Sequence, residues 1–562
     1  MAAIRSSRAG SALHVLALAG LTAGSAGLTS LAFPDRSWMT LAWVGVAPFL
    51  VALRHVGPRG ALGLGLAWAV AFSLAVGHWL PGGLALYFDQ PAAFGWLCFF
   101  AMVCVMVAPF VMAFALAHVA LVRRYRSGLP LLIAAAWVAA EWGRGALFTA
   151  THRFIGNPWA LLGYSQAGSE ALVQIASVTG VYGVSFVVMA VNATLAQLAV
   201  DAAAGRLILR EGASALLLAA APALAAFAFG WAVLPPSQNP GRAPEDATMV
   251  AVVQGHIGLA ERWHRYFHGR NLETYLGLSN EVLAQSGAKI VVWPEAAMTF
   301  LLEDQPEYRR AIASLLQARD AELISGIPRR TRPDGAGEPD ATEQFYNSVY
   351  LLSEDTEVVS RYDKVFLLPF AEYLPFGHLP LVKRFFGRFR EFARGDGSGL
   401  LLTRAGPAGV LVCNEAVLPE VARARAREGA VFLVNPSNDS WSRHPMFTGQ
   451  WFDIVRFRAI EQRRYLVRAS TSGPSAIIDP WGRVLSRTKR YAQDATAARI
   501  EPRYVLSVYG RVGDLFSLLC TAAVCFALVA APIRQWAARS RRPASPSAAI
   551  ATGSMVKKPT SG

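Results

Sequence analysis

The stretch "AGPAGVLVCNEAVLPEVARARAREGA", residues 405–430, holds an apolar run, Gly409–Val412, that stops at Cys413. Asn414 and Glu415 follow, and then a polar, helix-like segment. A short apolar run bounded by turn residues reads as a buried strand. Cys413 therefore sits at a strand-to-helix turn, the only cysteine between Val105 and Leu519. Two readings are open: a small core residue, or a nucleophile displayed on the turn.

The surroundings repeat the pattern. "ATMVAVVQGHI", "KIVVWPE", "AELISGI", "NSVYLLS", "AVFLVNPSN" and "SAIIDPWGRV" are further β-rich runs, and the amphipathic stretches Gly269–Ala284 and Glu307–Ala318 separate the first of them. Strands alternating with helices indicate one layered α/β domain, here 247–505. A Pro/Gly-rich linker, 236–246, precedes it.

The rest of the chain is of another kind. The 562 residues are 54% hydrophobic and only 16% charged, against about 25% in soluble domains. Seven apolar segments lie at 11–32, 37–53, 60–80, 92–122, 129–146, 173–200 and 212–234, and an eighth at 513–533. Each approaches the ~20 residues that cross a bilayer. Because further spans follow the first, it is expected to be a retained helix and not a signal peptide. The expected architecture is a multi-pass α-helical membrane protein, 1–235 plus 513–533, carrying a large extracytoplasmic α/β domain, with a disordered tail at 534–562.

Lysine and arginine in short loops set orientation. Alternate connections and the tail hold fifteen on one side; the other side holds Arg36, Arg144 and Arg153. This bias expects both termini in the cytoplasm and the α/β domain outside. The formal charge of +15 is thus mostly a topology signal, which argues against a nucleic-acid partner. The five cysteines show no pairing pattern or zinc spacing. His264 and His268, four apart, have no third ligand at a sensible spacing, so no metal or cofactor is expected.

Three β-rich runs carry an ionisable residue at or near their ends: Glu295 in "KIVVWPE", Lys364 in "SRYDKVFLLPF" and Cys413. Buried charge at a strand end is expensive unless paired or functional. Together they form coherent thiol chemistry. Glu295 can take the thiol proton, and Lys364 can stabilise thiolate and oxyanion.

"WPE", "YDKVFLLPFAEYLPFG" and "CNE" resemble the Glu–Lys–Cys signatures of the nitrilase, or carbon–nitrogen hydrolase, superfamily. With seven spans before the domain and one after it, the chain is similar to the apolipoprotein N-acyltransferase family of Gram-negative inner membranes. "VVQGHI", "YNSVYLL" and "RFRAIEQRRYLVRAS" add to the likeness. The resemblance implies an αββα sandwich on the periplasmic face, with Glu295 as general base, Lys364 for the oxyanion and Cys413 as nucleophile. It also implies supporting roles for Glu372 and Glu415, and a tryptophan near the lipid entrance matching Trp263. The implied reaction is ping-pong, with a thioester formed from a phospholipid, typically phosphatidylethanolamine, and passed to the α-amino group of a diacylated apolipoprotein.

Some positions depart from the family pattern. Asn414 stands where an aromatic residue usually follows the nucleophile, which bears on substrate positioning; Gln450–Trp451 replaces a Gln–His pair, and Ser442 a Phe. A membrane-tethered amidase using the same triad remains an alternative, as does a transporter whose outer domain only binds ligand. The basic, aromatic segment Leu379–Gly397, with Phe385, Phe386, Phe389 and Phe392 among arginines, is expected at the bilayer surface.

Overall fold

The structure is a computed structural model and describes residues 8–125, 128–149, 156–206, 209–236, 246–331, 343–386 and 391–540. Most of the linker, the far tail and residues 387–390 of the basic segment lie outside these.

Among the described residues, twelve strands build the α/β domain. The first six are β1 (Thr248–Gln254), β2 (Ile290–Val292), β3 (Glu322–Thr331), β4 (Gln344–Leu352), β5 (Val358–Asp363) and β6 (Leu400–Thr403). The others are β7 (Gly406–Val410), β8 (Phe432–Ser437), β9 (Tyr465–Ser470), β10 (Ala476–Ile478), β11 (Val484–Arg487) and β12 (Asp494–Ile500). They form two six-stranded sheets, ordered β12-β1-β2-β3-β4-β5 and β11-β10-β9-β8-β7-β6. In each sheet three central strands run parallel, β1-β2-β3 and β7-β8-β9, and antiparallel strands flank them.

Strand alternation assigns the layers. Val250, Val252, Ile290, Val292 and Ile324 point into one apolar core shared with Val410, Val434 and Val467 of the second sheet. Their neighbours Ala251, Val253, Val291 and Leu323 pack instead against Leu272, Tyr275 and Leu283 of helix His268–Ser286 and Ile312 and Leu316 of helix Pro306–Arg319. Helices Pro419–Glu428 and Pro445–Gln462 belong to the second sheet's side. The result is the expected αββα sandwich. Both parallel centres end at the same edge of the domain, where loops meet.

Five helices are long and apolar enough to cross a membrane among the described residues: Leu13–Ser30, Pro58–Gly77, Ala92–Val122, Leu129–Thr149 and Val181–Ala203. The expected segment 37–53 appears as a shorter apolar stretch, Met39–Leu53, while 212–234 and 513–533 coincide largely with the helices Leu209–Val233 and Leu515–Ser540. Two boundaries differ from the hydropathy reading. Segment 173–200 is broken at Gly180, whose φ of +68° ends a short helical turn before Val181–Ala203 begins. Segment 60–80 stops at Gly77, and a separate helix, Leu80–Phe88, follows it. Arg144, counted among loop charges, lies buried within helix Leu129–Thr149, where it donates to the Trp159 carbonyl at 2.9 Å. Glu141 on the same helix accepts from the Leu162 amide at 2.7 Å, so both charges serve the packing of that bundle.

Candidate active site

Glu295 leaves β2 through Trp293 and Pro294, and Ala296 after it takes a left-handed φ of +48°. That turn presses against β3. A Cβ on Gly326 would stand 2.4 Å from the Ala296 nitrogen and 2.7 Å from the Glu295 Cα, so only glycine fits there. The carboxylate is thereby turned inward. Its Oε1 accepts from Asn347 Nδ2 at 2.7 Å and its Oε2 from the Asn438 amide at 2.9 Å.

Lys364 directly follows β5 and is 1% exposed. Its Nζ lies 2.8 Å from Glu372 Oε2 and 3.7 Å from Glu295 Oε1. Burial alone would pull the ammonium down, but the charges of Glu372 and Glu295 outweigh it and raise it above the usual lysine value. Glu372 also accepts from Asn347 Nδ2 at 2.6 Å and from the Leu368 amide at 2.7 Å. Asn347, in β4, therefore ties the two glutamates together; a polar residue inside a strand gave no sign of that role.

Cys413 opens a single 3₁₀ turn, Cys413–Val417, with φ of +54°, a conformation that non-glycine residues hold only at a cost of about 1–3 kcal/mol. The residue is 8% exposed, and its Sγ lies 3.9 Å from the carbonyl of Asn438, whose own amide donates to Glu295 Oε2. Burial, then the Glu295 charge, push its thiol well above the ordinary value, with Lys364 acting against them. The resting group is a thiol.

Glu415 is brought to the same turn but faces away from solvent. Its Oε1 accepts from Tyr362 Oη at 2.7 Å and from the Val365 and Phe366 amides at 3.1 Å, and its Oε2 from the Val412 amide at 2.8 Å. It clamps the Lys364 loop to the Cys413 turn. Asn414 donates to the Phe366 carbonyl at 3.1 Å, and its Oδ1 is buried without a partner. Trp263 stands apart, 49% exposed beyond the short helix Leu259–Arg262. His264 caps its own turn through the Tyr266 amide, and His268 packs on Phe300, so the two histidines do different work.

Tyr87 was missed. It comes from helix Leu80–Phe88 of the membrane region and donates to the Ala371 carbonyl at 3.4 Å. Burial and the charges of Glu372, Glu295 and Cys413 raise its phenol. Nothing in an apolar segment more than 200 residues upstream marks it for this place.

Comparison with known proteins bears on the family. The family model for carbon-nitrogen hydrolases matches residues 249–508, and that for the apolipoprotein N-acyltransferase N-terminal domain matches 25–194. An apolipoprotein N-acyltransferase of Geobacter metallireducens is 32% identical over 90% of this chain and 93% of its own. One of Pseudomonas syringae is 30% identical over 92% and 97%. The chain belongs to the apolipoprotein N-acyltransferase family. Among solved structures, a carbon-nitrogen hydrolase from Helicobacter pylori covers 45% of this chain and 89% of its own, with 19% identity and a TM-score of 0.35.

In this member of the apolipoprotein N-acyltransferase family, the α/β domain and the helices meet in a further set of contacts. Gln450 donates to the Val76 carbonyl at 2.9 Å and accepts from Trp159 Nε1 at 2.7 Å. Trp451 packs on Phe447, which also meets Trp79, Trp159 and Trp441. The Gln–Trp departure thus fills an aromatic seam that seats the α/β domain on the helices. Phe386 of the basic segment packs on Phe88, Phe94 and Phe370, closing the other flank beside Tyr87.

Proposed function

We propose that this protein transfers an acyl chain from a membrane phospholipid, phosphatidylethanolamine in the first instance, to the α-amino group of the diacylglyceryl-cysteine at an apolipoprotein's N-terminus. The observation that carries the reading is the meeting of two elements. A buried Cys–Glu–Lys cluster sits against Tyr87, a residue delivered by the membrane region. An amidase acting on soluble amides has no use for that proximity.

Glu295 takes the Cys413 proton as sulfur attacks the sn-1 ester carbonyl. Lys364 stabilises the oxyanion, and Glu295 returns the proton to the departing glycerol oxygen. The lysophospholipid leaves, and a thioester remains. The lipoprotein amine then attacks the thioester carbonyl, Glu295 accepts an amine proton, and Cys413 leaves as the thiol. Glu372 holds Lys364 in place, and Glu415 holds the loops. Trp263 and Asn414 are assigned to substrate contact.

The domain limits proposed are those read from the chain: membrane region 1–235, linker 236–246, catalytic domain 247–505, a further span 513–533 and a tail 534–562. The cytoplasmic side carries both termini, and the catalytic domain faces the periplasm of a Gram-negative cell. The excess of arginine and lysine on one set of connections supports this orientation.

The test is purified protein with acyl-labelled phosphatidylethanolamine and no acceptor, followed by a diacylated lipopeptide. Hydroxylamine-sensitive label on wild type but not on Cys413→Ala, passing to the lipopeptide amine, is the expected result. Label released only as free fatty acid identifies a hydrolase instead. Absence of label on folded protein removes Cys413 from the chemistry.

A further inference from the structure

Arg468 lies within β9, entirely buried, and makes no ion pair among the described residues. Its Nη1 donates to Asn435 Oδ1 at 2.5 Å, and its guanidinium covers the Trp451 ring at 5.3 Å. Its Nε and Nη2 are buried without a hydrogen-bond partner. A guanidinium in this state is expensive to keep unless a counter-charge arrives.

Two groups act on its charge through space, the Asp439 carboxylate and, once ionised, Cys413. Asp439 is already engaged: its Oδ2 accepts from Ser470 Oγ at 2.5 Å and its Oδ1 from the Ser472 amide at 2.7 Å. Cys413 carries charge only as a thiolate. The link to it is also mechanical. Asn435, fixed by Arg468, donates through Nδ2 to the Leu411 carbonyl at 2.6 Å and approaches the Cys413 carbonyl at 3.4 Å. Arg468 thus stands behind the turn that forces Cys413 into its left-handed backbone.

Among the described residues, Glu295, Lys364, Arg262, Tyr87 and Arg468 interact electrostatically with Cys413. Glu295 opposes a thiolate, and Tyr87 is uncharged. Lys364 favours it but is tied to Glu372 at 2.8 Å. Arg262, also buried, has a free Nη1 and works in the same sense as Arg468.

We infer that Arg468 is a positioning residue for the nucleophile: it fixes the Cys413 turn through Asn435, and its unpaired charge favours the thiolate that forms when Glu295 takes the thiol proton. The inference rests on the assignment of Cys413 as nucleophile.

Iodoacetamide alkylation of Cys413 in the detergent-solubilised full chain, followed against pH, reads the thiolate directly. Arg468→Gln is expected to raise the alkylation midpoint by about one pH unit, roughly tenfold slower labelling at pH 7. Arg468→Lys, which keeps the charge and loses the fork to Asn435, is expected to restore the midpoint while acyl transfer stays slow. An unchanged midpoint in folded Arg468→Gln overturns the inference. If that variant does not fold, Arg468→Lys decides: a wild-type midpoint with slowed transfer supports the inference, and a raised midpoint overturns it. Failure of the nucleophile assignment is seen separately, as wild-type protein that takes no acyl label from phospholipid.

Discussion

Lys364 and Glu372 form a buried ion pair, 2.9 Å from Nζ to Oε1 and 2.8 Å to Oε2, while Glu295 waits 3.7 Å from the same ammonium. The two carboxylates are not equivalent. The nearer one neutralises the lysine, and Asn347 Nδ2 bridges the pair, so in the proposed mechanism Glu295 is left to serve the thiol.

Glu372→Gln removes the nearer countercharge. Lys364 is then drawn to Glu295, which loses freedom to accept the Cys413 proton. The expected outcome is a fall of about 10²-fold in the rate of acyl-enzyme formation, comparable to loss of an oxyanion donor. Single-turnover labelling with acyl-labelled phospholipid measures it, with the melting temperature checking that the domain is intact.

Gly326→Ala tests how the base is aimed. The new methyl meets the Ala296 nitrogen and Glu295 Cα at 2.4 and 2.7 Å, both backbone atoms that cannot swing aside. Overpacking of this kind costs about 1–3 kcal/mol in stability. Displacing the carboxylate costs more in rate, roughly 10²-fold for a misplacement near 1 Å. A large drop in thioester formation with a modest drop in unfolding free energy is the expected pair of results.

What was legible in the sequence follows from how local each signal is. Glu295 and Cys413 each follow an apolar run and Lys364 precedes one, 365–370, so the apolar pattern displayed them. The parallel strands β1, β2, β3, β7 and β8 were legible for the same reason. β5, β11 and β12 carry half-exposed polar residues, and no apolar run marks them. β9 is fully buried, yet its central arginine interrupts the run that would have announced it. Asn347 and Arg468 hide because a polar residue inside a strand reads as a solvent-facing position until the opposite layer is known. Tyr87 hides for a different reason: hydropathy measures affinity for lipid and says nothing of a helix that turns back at Gly77 to reach the catalytic domain.

The raised Cys413 thiol has a consequence for stability. A group whose folded-state value exceeds its unfolded one contributes stability that is complete below the unfolded value, about 8.5 for cysteine, and is lost as pH climbs through the folded value. Burial and Glu295 set the direction of this shift. Alkaline titration therefore weakens the wild type, and Cys413→Ala is spared. Melting temperatures of the two proteins should keep a constant separation below pH 8 and shift in favour of the alanine variant above about pH 9. A constant separation to pH 10 contradicts it.

Glu415→Gln separates the clamp from the chemistry. The carboxylate is buried, pushed up by that burial against the pull of Lys364 and Arg425, and it accepts four hydrogen bonds from two loops. A glutamine amide can match only one side. If its oxygen takes the Tyr362, Val365 and Phe366 donors, its Nε2 faces the Val412 amide, donor against donor. If it flips, three donors on the Lys364 loop lose their acceptor. Either way at least one buried amide goes unsatisfied, at about 1–3 kcal/mol, and the loss of charge-assisted bonds adds to it. The expected change is a stability loss of roughly 2–4 kcal/mol with slower acylation, because the Cys413 turn is no longer held to the loop bearing Lys364. Glu415→Asp, which keeps the charge but shortens the reach, should recover part of the stability and little of the rate. Equal recovery of both would make Glu415 a matter of charge alone.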